Sequence, residues 1–179
     1  MEFANSKTFK NILNAIDGEL KASTKYSIYD AKAREDGYEN IGDIFKETSN
    51  NEKEHAELLL KIIHNGSIPD TCENLIDASS GENHEWTNMY QEYAKIAQDE
   101  GFPQISQVFL KIAEVERHHD FRFNTLAKDI KCNKIFCKDE QILWICMNCG
   151  YLYYGECAPK KCPLCGYSQG YFSPNCENY

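Results

Sequence analysis

Two stretches of this chain place a glutamate and a histidine three residues apart on a helix whose apolar stripe runs through both positions. The first pair, Glu52 and His55, lies in TSNNEKEHAELLLKII and continues a stripe that passes through Ile44. The second pair, Glu116 and His119, continues a similar stripe further along the chain. Residues spaced three or four apart share one face of an α-helix. Each helix therefore has to turn an acid and an imidazole towards the side that it would otherwise bury.

Each of these pairs has a partner glutamate at nearly the same distance upstream. Glu19 precedes Glu52 by 33 residues, and Glu82 precedes Glu116 by 34 residues. The chain thus contains two near copies of one unit, in which a helix with one glutamate is followed by a turn and a helix with Glu-x-x-His. Two such hairpins related by a pseudo-two-fold axis would bring all six side chains to one level of a helical bundle.

A cluster of buried acids of this kind requires cations. An ionised carboxylate that is buried without a partner costs several kcal/mol, and neighbouring carboxylates repel one another. Two divalent or trivalent ions remove both problems, because carboxylates can bridge them and each histidine offers a neutral nitrogen. One Glu-x-x-His motif alone is typical of a solvated helix face, but two motifs with matched partner glutamates favour the dinuclear metal site known from di-iron and di-manganese bundles.

Glu85 is an additional acid that this repeat does not require. It lies one turn after Glu82, where the first half of the chain has Ala22 after Glu19. The spacing alone leaves open whether Glu85 reaches a metal, lies behind the ligands or faces solvent.

Four long helical patterns fill the first three quarters of the chain and predict a four-helix bundle. The patterns cover residues of about 7–34, 41–64, 75–100 and 103–130. Short links after the first and third helices predict two antiparallel hairpins, and SIPDTCEN between them is the longest link. The expected fold class is mainly α, with a small, turn-rich C-terminal metal domain. The expected organisation is a bundle over 1–131, a linker over 132–141 and the metal domain over 142–179.

Cysteine spacing in the tail predicts a second metal site. The chain has nine cysteines, and Cys72 alone precedes residue 132. The stretches CMNCG and CPLCG form two Cys-x-x-Cys knuckles, whose ligands are Cys146, Cys149, Cys162 and Cys165. Four thiolates at this spacing bind a tetrahedral metal, and the pattern leaves both zinc and iron open. The aromatic residues nearby favour iron, which would carry one electron.

Five cysteines remain outside this group: Cys72, Cys132, Cys137, Cys157 and Cys176. The odd total and the clustering argue against a framework of disulfides. We expect these five to be plain thiols, with Cys132 and Cys137 as the pair that oxidation would join.

Charge and hydropathy exclude two classes of partner. The net charge of −9 and the pI of about 5.1 argue against nucleic acid, since phosphate binding requires a basic patch. No apolar run approaches the ~20 residues of a membrane helix, and the N-terminus lacks the apolar core of a secretory signal. The expected location is the cytoplasm.

With these motifs the chain resembles the rubrerythrin family, in which a ferritin-like di-iron bundle is followed by a rubredoxin-like FeS4 domain. The resemblance covers nearly the whole chain and rests on Glu19, NEKEH, GENHE, EVERHH, WICMNCGY and CPLCG. It implies that Glu52 and Glu116 bridge two irons and that Glu19 and Glu82 are terminal ligands. It also implies that His119 binds the second iron.

The resemblance assigns further roles around the same centre. One iron of the family exchanges a histidine for an extra glutamate on oxidation, which implies His55 and Glu85 as the exchanging pair. Tyr26 and Tyr90 match tyrosines that hydrogen-bond the carboxylates of the cluster. The chain departs from the family pattern at two nearby positions, Trp86 and Arg117.

The activity implied by this resemblance is reduction of hydrogen peroxide to water in defence against oxidative stress. Electrons would come from a rubredoxin or an NAD(P)H-dependent flavoprotein and pass through the FeS4 site to the di-iron site, with Glu85 as a proton relay. The resemblance also implies a head-to-tail homodimer and a cytoplasmic location in an anaerobic or microaerophilic microbe. Two alternatives remain open: a ferritin-like ferroxidase and iron storage protein, and a non-catalytic protein whose tail is a zinc ribbon.

Overall fold

The computed structural model of the chain describes residues 2–177. The helices are α1 (Lys7–Glu35), α2 (Glu39–Ile63), α3 (Thr71–His84), α4 (Tyr90–Asp99) and α5 (Pro103–Lys131). A π-helix, Glu85–Met89, joins α3 to α4 without a break, so these three segments form one of the four long helices predicted. The strands are β1 (Cys137–Cys146), β2 (Leu152–Cys157) and β3 (Phe172–Pro174). The chain divides into two compact units, Met1–Pro69 and Asp70–Tyr179.

The element order confirms the predicted fold class, which is mainly α with a small C-terminal domain that contains a cysteine cluster. The predicted helix bounds agree with those observed to within a few residues, apart from the third helix. Within residues 2–177, no helix combines the length and the apolar character needed to cross a membrane.

The first unit is an antiparallel hairpin of α1 and α2. Ser6 caps α1 by accepting a hydrogen bond from the backbone N–H of Phe9 at 3.0 Å. Gly37, in the connection, has a φ of 85°, a left-handed conformation that glycine adopts without strain. Between the helices, the hydroxyls of Ser23 and Ser49 each donate to the other residue's carbonyl oxygen, at 2.9 and 2.7 Å. These two bonds fix the register of α1 against α2.

The helical part of the second unit is a hairpin of α3, the π-helix and α4 against α5. Helix α3 begins at Thr71 because Asp70 and Glu73 form a capping box. The Asp70 carboxylate accepts from the backbone N–H of Glu73 at 2.9 Å, and the Glu73 carboxylate accepts in return from the N–H of Asp70. The predicted start near residue 75 is therefore one turn late.

The two hairpins share an aromatic triad with nearly the same distances between ring centroids. The triads are Tyr26, Tyr29 and Phe45 in the first hairpin, and Tyr90, Tyr93 and Phe109 in the second. Ring centroids are 6.4, 6.1 and 5.6 Å apart in the first triad and 6.4, 6.0 and 5.7 Å apart in the second. The two halves of the helical region are thus structural copies, as their sequence spacing predicts.

The π-helix explains why the spacing differs by one residue between the copies. Glu19 and Glu82 are 63 residues apart, whereas Tyr26 and Tyr90 are 64 apart. A π-helix accommodates one inserted residue within an α-helix. The backbone N–H of Tyr90 bonds the carbonyl of Glu85, five residues earlier, so the insertion lies between the two matched positions.

The C-terminal domain is built on a three-stranded antiparallel sheet with the order β2-β1-β3. Trp144 on β1 is fully buried and donates its indole N–H to the carbonyl of Gly155 at 2.9 Å. The other buried residues of this core are Cys146, Ala158, Cys162 and Phe172. Two of the predicted metal ligands are therefore held in place by the packed sheet.

One expectation about the cysteines is wrong. The structure joins Cys137 to Cys157 in a disulfide, whereas Cys72, Cys132 and Cys176 are free. Cys137 and Cys157 are opposite each other on β1 and β2, with Cα atoms 4.0 Å apart. The pairing depends on the register of this hairpin, which the spacing of 20 residues along the chain does not show.

Candidate metal centres

The four knuckle cysteines converge as predicted. Their sulfur atoms all lie within 4.8 Å of one another, with Cys146 Sγ 3.8 Å from Cys165 Sγ and Cys149 Sγ 3.7 Å from Cys162 Sγ. Four sulfurs in a tetrahedron around an ion at about 2.3 Å are about 3.75 Å apart. The observed separations therefore fit a tetrahedral four-thiolate metal site.

The backbone of each knuckle supports this arrangement. The N–H of Gly150 donates to the carbonyl of Cys146 at 2.8 Å, and both Gly150 and Gly166 have positive φ, at 76° and 77°. The backbone N–H of Tyr167 donates to Cys165, and this bond, together with side-chain hydrogen bonds from Asn148 and the neighbouring thiols, lowers the pKa of the Cys165 thiol to about 6. A thiol that loses its proton this readily is a prepared metal ligand.

The six predicted carboxylate and histidine ligands form two groups of three, one in each unit. The groups are Glu19, Glu52 and His55 in the first unit, and Glu82, Glu116 and His119 in the second. In each group the ligand atoms lie within 4.8 Å of one another. We call these ligand groups the first and the second triad, as distinct from the aromatic triads of the two hairpins.

The two triads have nearly the same geometry. Nδ1 of His55 is 2.9 Å from Oε2 of Glu52 and 3.8 Å from Oε2 of Glu19. Nδ1 of His119 is 2.7 Å from Oε2 of Glu116 and 3.8 Å from Oε1 of Glu82. Two ligands bound to one ion at about 2.1 Å lie at most about 4.2 Å apart. The separations of each histidine from its two glutamates meet that limit, as expected for a metal ion held at each triad.

The electrostatics of the second triad also fit a cation. Burial raises the pKa of the Glu82 carboxyl above its usual range, and a hydrogen bond and the charge of Glu116 raise it further. His119 acts in the opposite direction. Two carboxylates this close cannot both stay ionised without a positive partner.

Glu85 and Tyr90 lie beside the second triad. Burial and the charge of Glu85, followed by the charges of the two triad carboxylates, raise the pKa of Tyr90. The charge of Glu85 also raises the pKa of Glu82. Among residues 2–177, the donor atoms within 4.8 Å of one another at this site belong to the second triad and do not include the Glu85 carboxylate. It is therefore an acid one turn from the ligands, at the first residue of the π-helix.

Family models match both parts of the chain. The model described as Rubrerythrin matches residues 10–69 and 73–143, and the one described as Rubrerythrin, rubredoxin-like domain matches residues 144–173. The chain belongs to the rubrerythrin family.

Several members of this family are similar over almost their whole length. Rubrerythrin-1 of Clostridium acetobutylicum is 41% identical, with 97% of each chain covered. Rubrerythrin of Nitratidesulfovibrio vulgaris is 40% identical, with 93% of each chain covered. Among solved structures, the fully reduced, all-ferrous state of nigerythrin is 30% identical and covers 97% of this chain and 91% of that chain, with a TM-score of 0.37.

Membership of the rubrerythrin family confirms the predicted cofactors. The family combines a di-iron site with a rubredoxin-like domain, and the two triads and the four cysteines supply donors for both. The individual roles assigned to these residues, as bridging, terminal or exchanging ligands, remain predictions.

Asp120 is a site residue that the sequence patterns missed. It is buried, follows His119 directly, and accepts three hydrogen bonds from other side chains. The donors are Ser79 Oγ at 2.6 Å, Asn83 Nδ2 at 2.8 Å and Trp86 Nε1 at 3.0 Å. These bonds lower the pKa of Asp120, with the bond from Ser79 contributing most.

This network gives a structural reason for one departure from the rubrerythrin pattern. Trp86, where the family resemblance leads us to expect tyrosine, lies in the π-helix and uses its indole N–H to bind Asp120 on α5. The position in the first hairpin that matches Asp120 is Ala56, which is 1% exposed and has no side-chain acceptor for such a bond. The one sign of this network in the sequence was an acid, Asp120, at a helix position where the first hairpin has the apolar residue Ala56.

Proposed function

We propose that this protein is a non-haem di-iron peroxidase that reduces hydrogen peroxide to two molecules of water and protects against oxidative stress. The observation that carries this proposal is the combination, on one chain, of two matching triads and a four-thiolate group. Iron at the triads would supply the two electrons and the Lewis acidity that peroxide reduction requires. Iron at the thiolates would carry one electron, so that group could return electrons to the di-iron centre one at a time.

A dinuclear centre needs both triads, and we propose that the ligand faces of the two hairpins pack together, either within one chain or between two copies. In this arrangement Glu52 and Glu116 would be the bridging carboxylates, shared by the two ions. Glu19 and Glu82 are terminal ligands, and each histidine binds one ion. The matching distances in the two triads support a centre with this pseudo-symmetry.

Apolar side chains on the ligand-bearing faces support the same packing. Ile44, on the stripe of the first triad, is 61% exposed, and Val108, on the stripe of the second, is 55% exposed. Burying apolar surface is favourable by about 25 cal/mol per Å². We propose that this burial holds the two faces together, and that the assembly is a homodimer arranged head to tail.

We propose that Glu85 delivers protons to the reduced oxygen atoms, and that Glu85 replaces His55 as a ligand when the centre is oxidised. Its position one turn from the second triad supports the first role, since its charge acts on both Glu82 and Tyr90. We propose that Tyr90 donates a hydrogen bond to a triad carboxylate, which the action of the triad charges on its pKa supports, and that Tyr26, at the matching position of the first hairpin, does the same.

We propose that an external reductant, a rubredoxin or an NAD(P)H-dependent flavoprotein, reduces iron at the four thiolates in the cytoplasm. Exposed apolar residues next to the knuckles support docking of a redox protein there: Met147 is 63% exposed and Leu164 is 68% exposed. The thiol of Cys149 is also exposed. An electron can therefore enter at the surface of this domain.

The proposal is tested by anaerobic turnover with a chemical reductant, measuring peroxide consumed against electrons supplied. Glu85→Gln removes the proton but keeps the size of the side chain, and we expect kcat to fall about 100-fold with unchanged iron content. Glu92→Gln, an exposed glutamate on α4, is the matched control and should keep full activity. Undiminished turnover in Glu52→Ala would contradict a peroxidase centre built on the triads.

The four-thiolate group also separates this function from ferritin-like iron storage, because storage requires no path for re-reduction. Mineral accumulation without peroxide turnover would favour the storage alternative.

A further inference from the structure

Cys137 and Cys157 form a site that the metal chemistry does not use. Cys137 is the first residue of β1 and Cys157 is the last residue of β2, so their disulfide closes the open end of this hairpin. The opposite end carries the first metal knuckle, since β1 ends at the ligand Cys146. The disulfide is thus separate from the four-thiolate group but lies on the same pair of strands.

Backbone contacts that do not involve the sulfur atoms also hold Cys137 next to Cys157. The residues are register partners with Cα atoms 4.0 Å apart. Immediately beside them, the backbone N–H of Ala158 donates to the carbonyl of Phe136 at 2.8 Å. The ladder between β1 and β2 has a register shift between Cys137 and Ile142, so this hydrogen bond is the backbone contact nearest to the pair. It does not involve the S–S bond, and we therefore expect the two thiols of the reduced form to stay adjacent. Adjacent thiols favour the reversible formation of a disulfide.

The two cysteines differ in access to solvent. Cys157 is exposed, whereas Cys137 is half-buried. Susceptibility of a thiol to oxidation follows its exposure and its thiolate character. A small oxidant therefore reaches Cys157 first, and Cys137 is positioned to complete the reaction.

We propose that Cys137 and Cys157 are a second, metal-independent site that hydrogen peroxide oxidises. The Cys157 thiolate attacks one peroxide oxygen, forming an S–O bond and breaking the O–O bond, and the departing hydroxide takes up a proton to become water. The Cys137 thiolate then attacks the Cys157 sulfur, forming the S–S bond and releasing the second oxygen as water. Two thiols lose two electrons in total, and one peroxide becomes two waters.

The test uses the full-length protein loaded with zinc in place of iron, so that any reaction with peroxide is free of iron chemistry. The protein is reduced with dithiothreitol, desalted without air, given one equivalent of hydrogen peroxide, blocked with N-ethylmaleimide and digested with trypsin without reductant. We expect mass spectrometry to find the peptide IFCK, which contains Cys137, linked to the peptide that contains Cys157. The same protein without peroxide should carry maleimide on both cysteines.

Variants identify the order of attack. Cys157→Ser should lose the link, Cys137→Ser should leave a sulfenic acid at position 157 that dimedone traps, and Cys132→Ser should form the link as the wild type does. Zinc retained by each variant shows that the domain is folded. The proposal is overturned if peroxide leaves Cys137 and Cys157 as thiols, or if it joins Cys137 to Cys132 instead.

Discussion

Asp120 shows how a single side chain can secure the geometry beside a metal centre. Its carboxylate accepts hydrogen bonds from Ser79 on α3, Trp86 in the π-helix and Asn83 on α3. Because Asp120 lies on α5 next to His119, this network ties the π-helix to the helix that carries a triad ligand. The residue is thus a positioning residue, and its effect should be visible in stability.

Replacing Asp120 with alanine leaves three donors without their acceptor. Hydrogen bonds to charged groups contribute about 1.5–3 kcal/mol, so we expect Asp120→Ala to lower the free energy of unfolding by about 2–4 kcal/mol in urea titrations. Asp77→Ala, at an exposed position on α3, is the matched control and should change it by less than about 0.5 kcal/mol. Equal effects of the two substitutions would contradict the network.

The same hydrogen bonds predict a pH dependence. The pKa of Asp120 is lower in the folded protein than in the unfolded chain, where it is about 3.9. Its contribution to stability is therefore complete above that value and is lost as the pH falls through the lower, folded pKa. Asp120→Ala should show a smaller loss of stability between neutral and acidic pH than the wild type.

At the scale of elements, the π-helix is the main difference between two otherwise equivalent hairpins. The matched aromatic triads come after it in the chain, and the ligand Glu82 comes before it, at the same 3.8 Å from its histidine as Glu19 in the first hairpin. The extra residue leaves these distances nearly unchanged, and it lies in the segment that carries Glu85 and Trp86. The insertion therefore sets apart the acid that we propose as a proton donor.

Deleting Thr87 tests this interpretation, because it restores the spacing of the first hairpin. Thr87 is exposed, and its hydroxyl bonds only the carbonyl of Asn83 among the contacts observed for it. We expect the deletion variant to keep its helical circular dichroism and its metal content. Since Glu85 would move out of place, peroxide turnover should fall about tenfold or more. Full activity in the variant would contradict a role for the π-helix.

Particular residues show what the sequence predicted and what it did not. The apolar stripes through Ile44 and Val108 predicted the helices and the two triads, because a helix period is visible in one chain segment. The residue added between Glu82 and Tyr90 was visible only as a spacing of 34 instead of 33. The Asp120 network and the Cys137–Cys157 bond depend on contacts between elements, which a one-dimensional pattern does not contain.

At the scale of the whole molecule, each of the two compact units carries one triad. Each triad supplies one histidine and two carboxylates, which is half of a dinuclear carboxylate site. The proposed dinuclear centre therefore takes half of its donors from each unit.

The proposed homodimer predicts the mass in solution. Light scattering of the iron-loaded protein should give twice the 20.6 kDa of one chain. An alternative assembly in the form of a large hollow shell would instead favour iron storage. A monomer would contradict the head-to-tail dimer, although not the chemistry of the triads.

The most direct test of the peroxidase is one anaerobic mixing experiment. Fully reduced, iron-loaded protein, which holds three ferrous ions per chain, is mixed rapidly with two equivalents of hydrogen peroxide, and the red colour of ferric iron at the four thiolates is followed with time. The account predicts that this colour returns quickly in the wild type and is lost or greatly slowed in Glu52→Ala, whose four-thiolate iron still reddens with ferricyanide. A return of colour at the same rate in both proteins, or none in the wild type, would contradict electron transfer from the thiolate-bound iron to a peroxide-reducing centre at the triads.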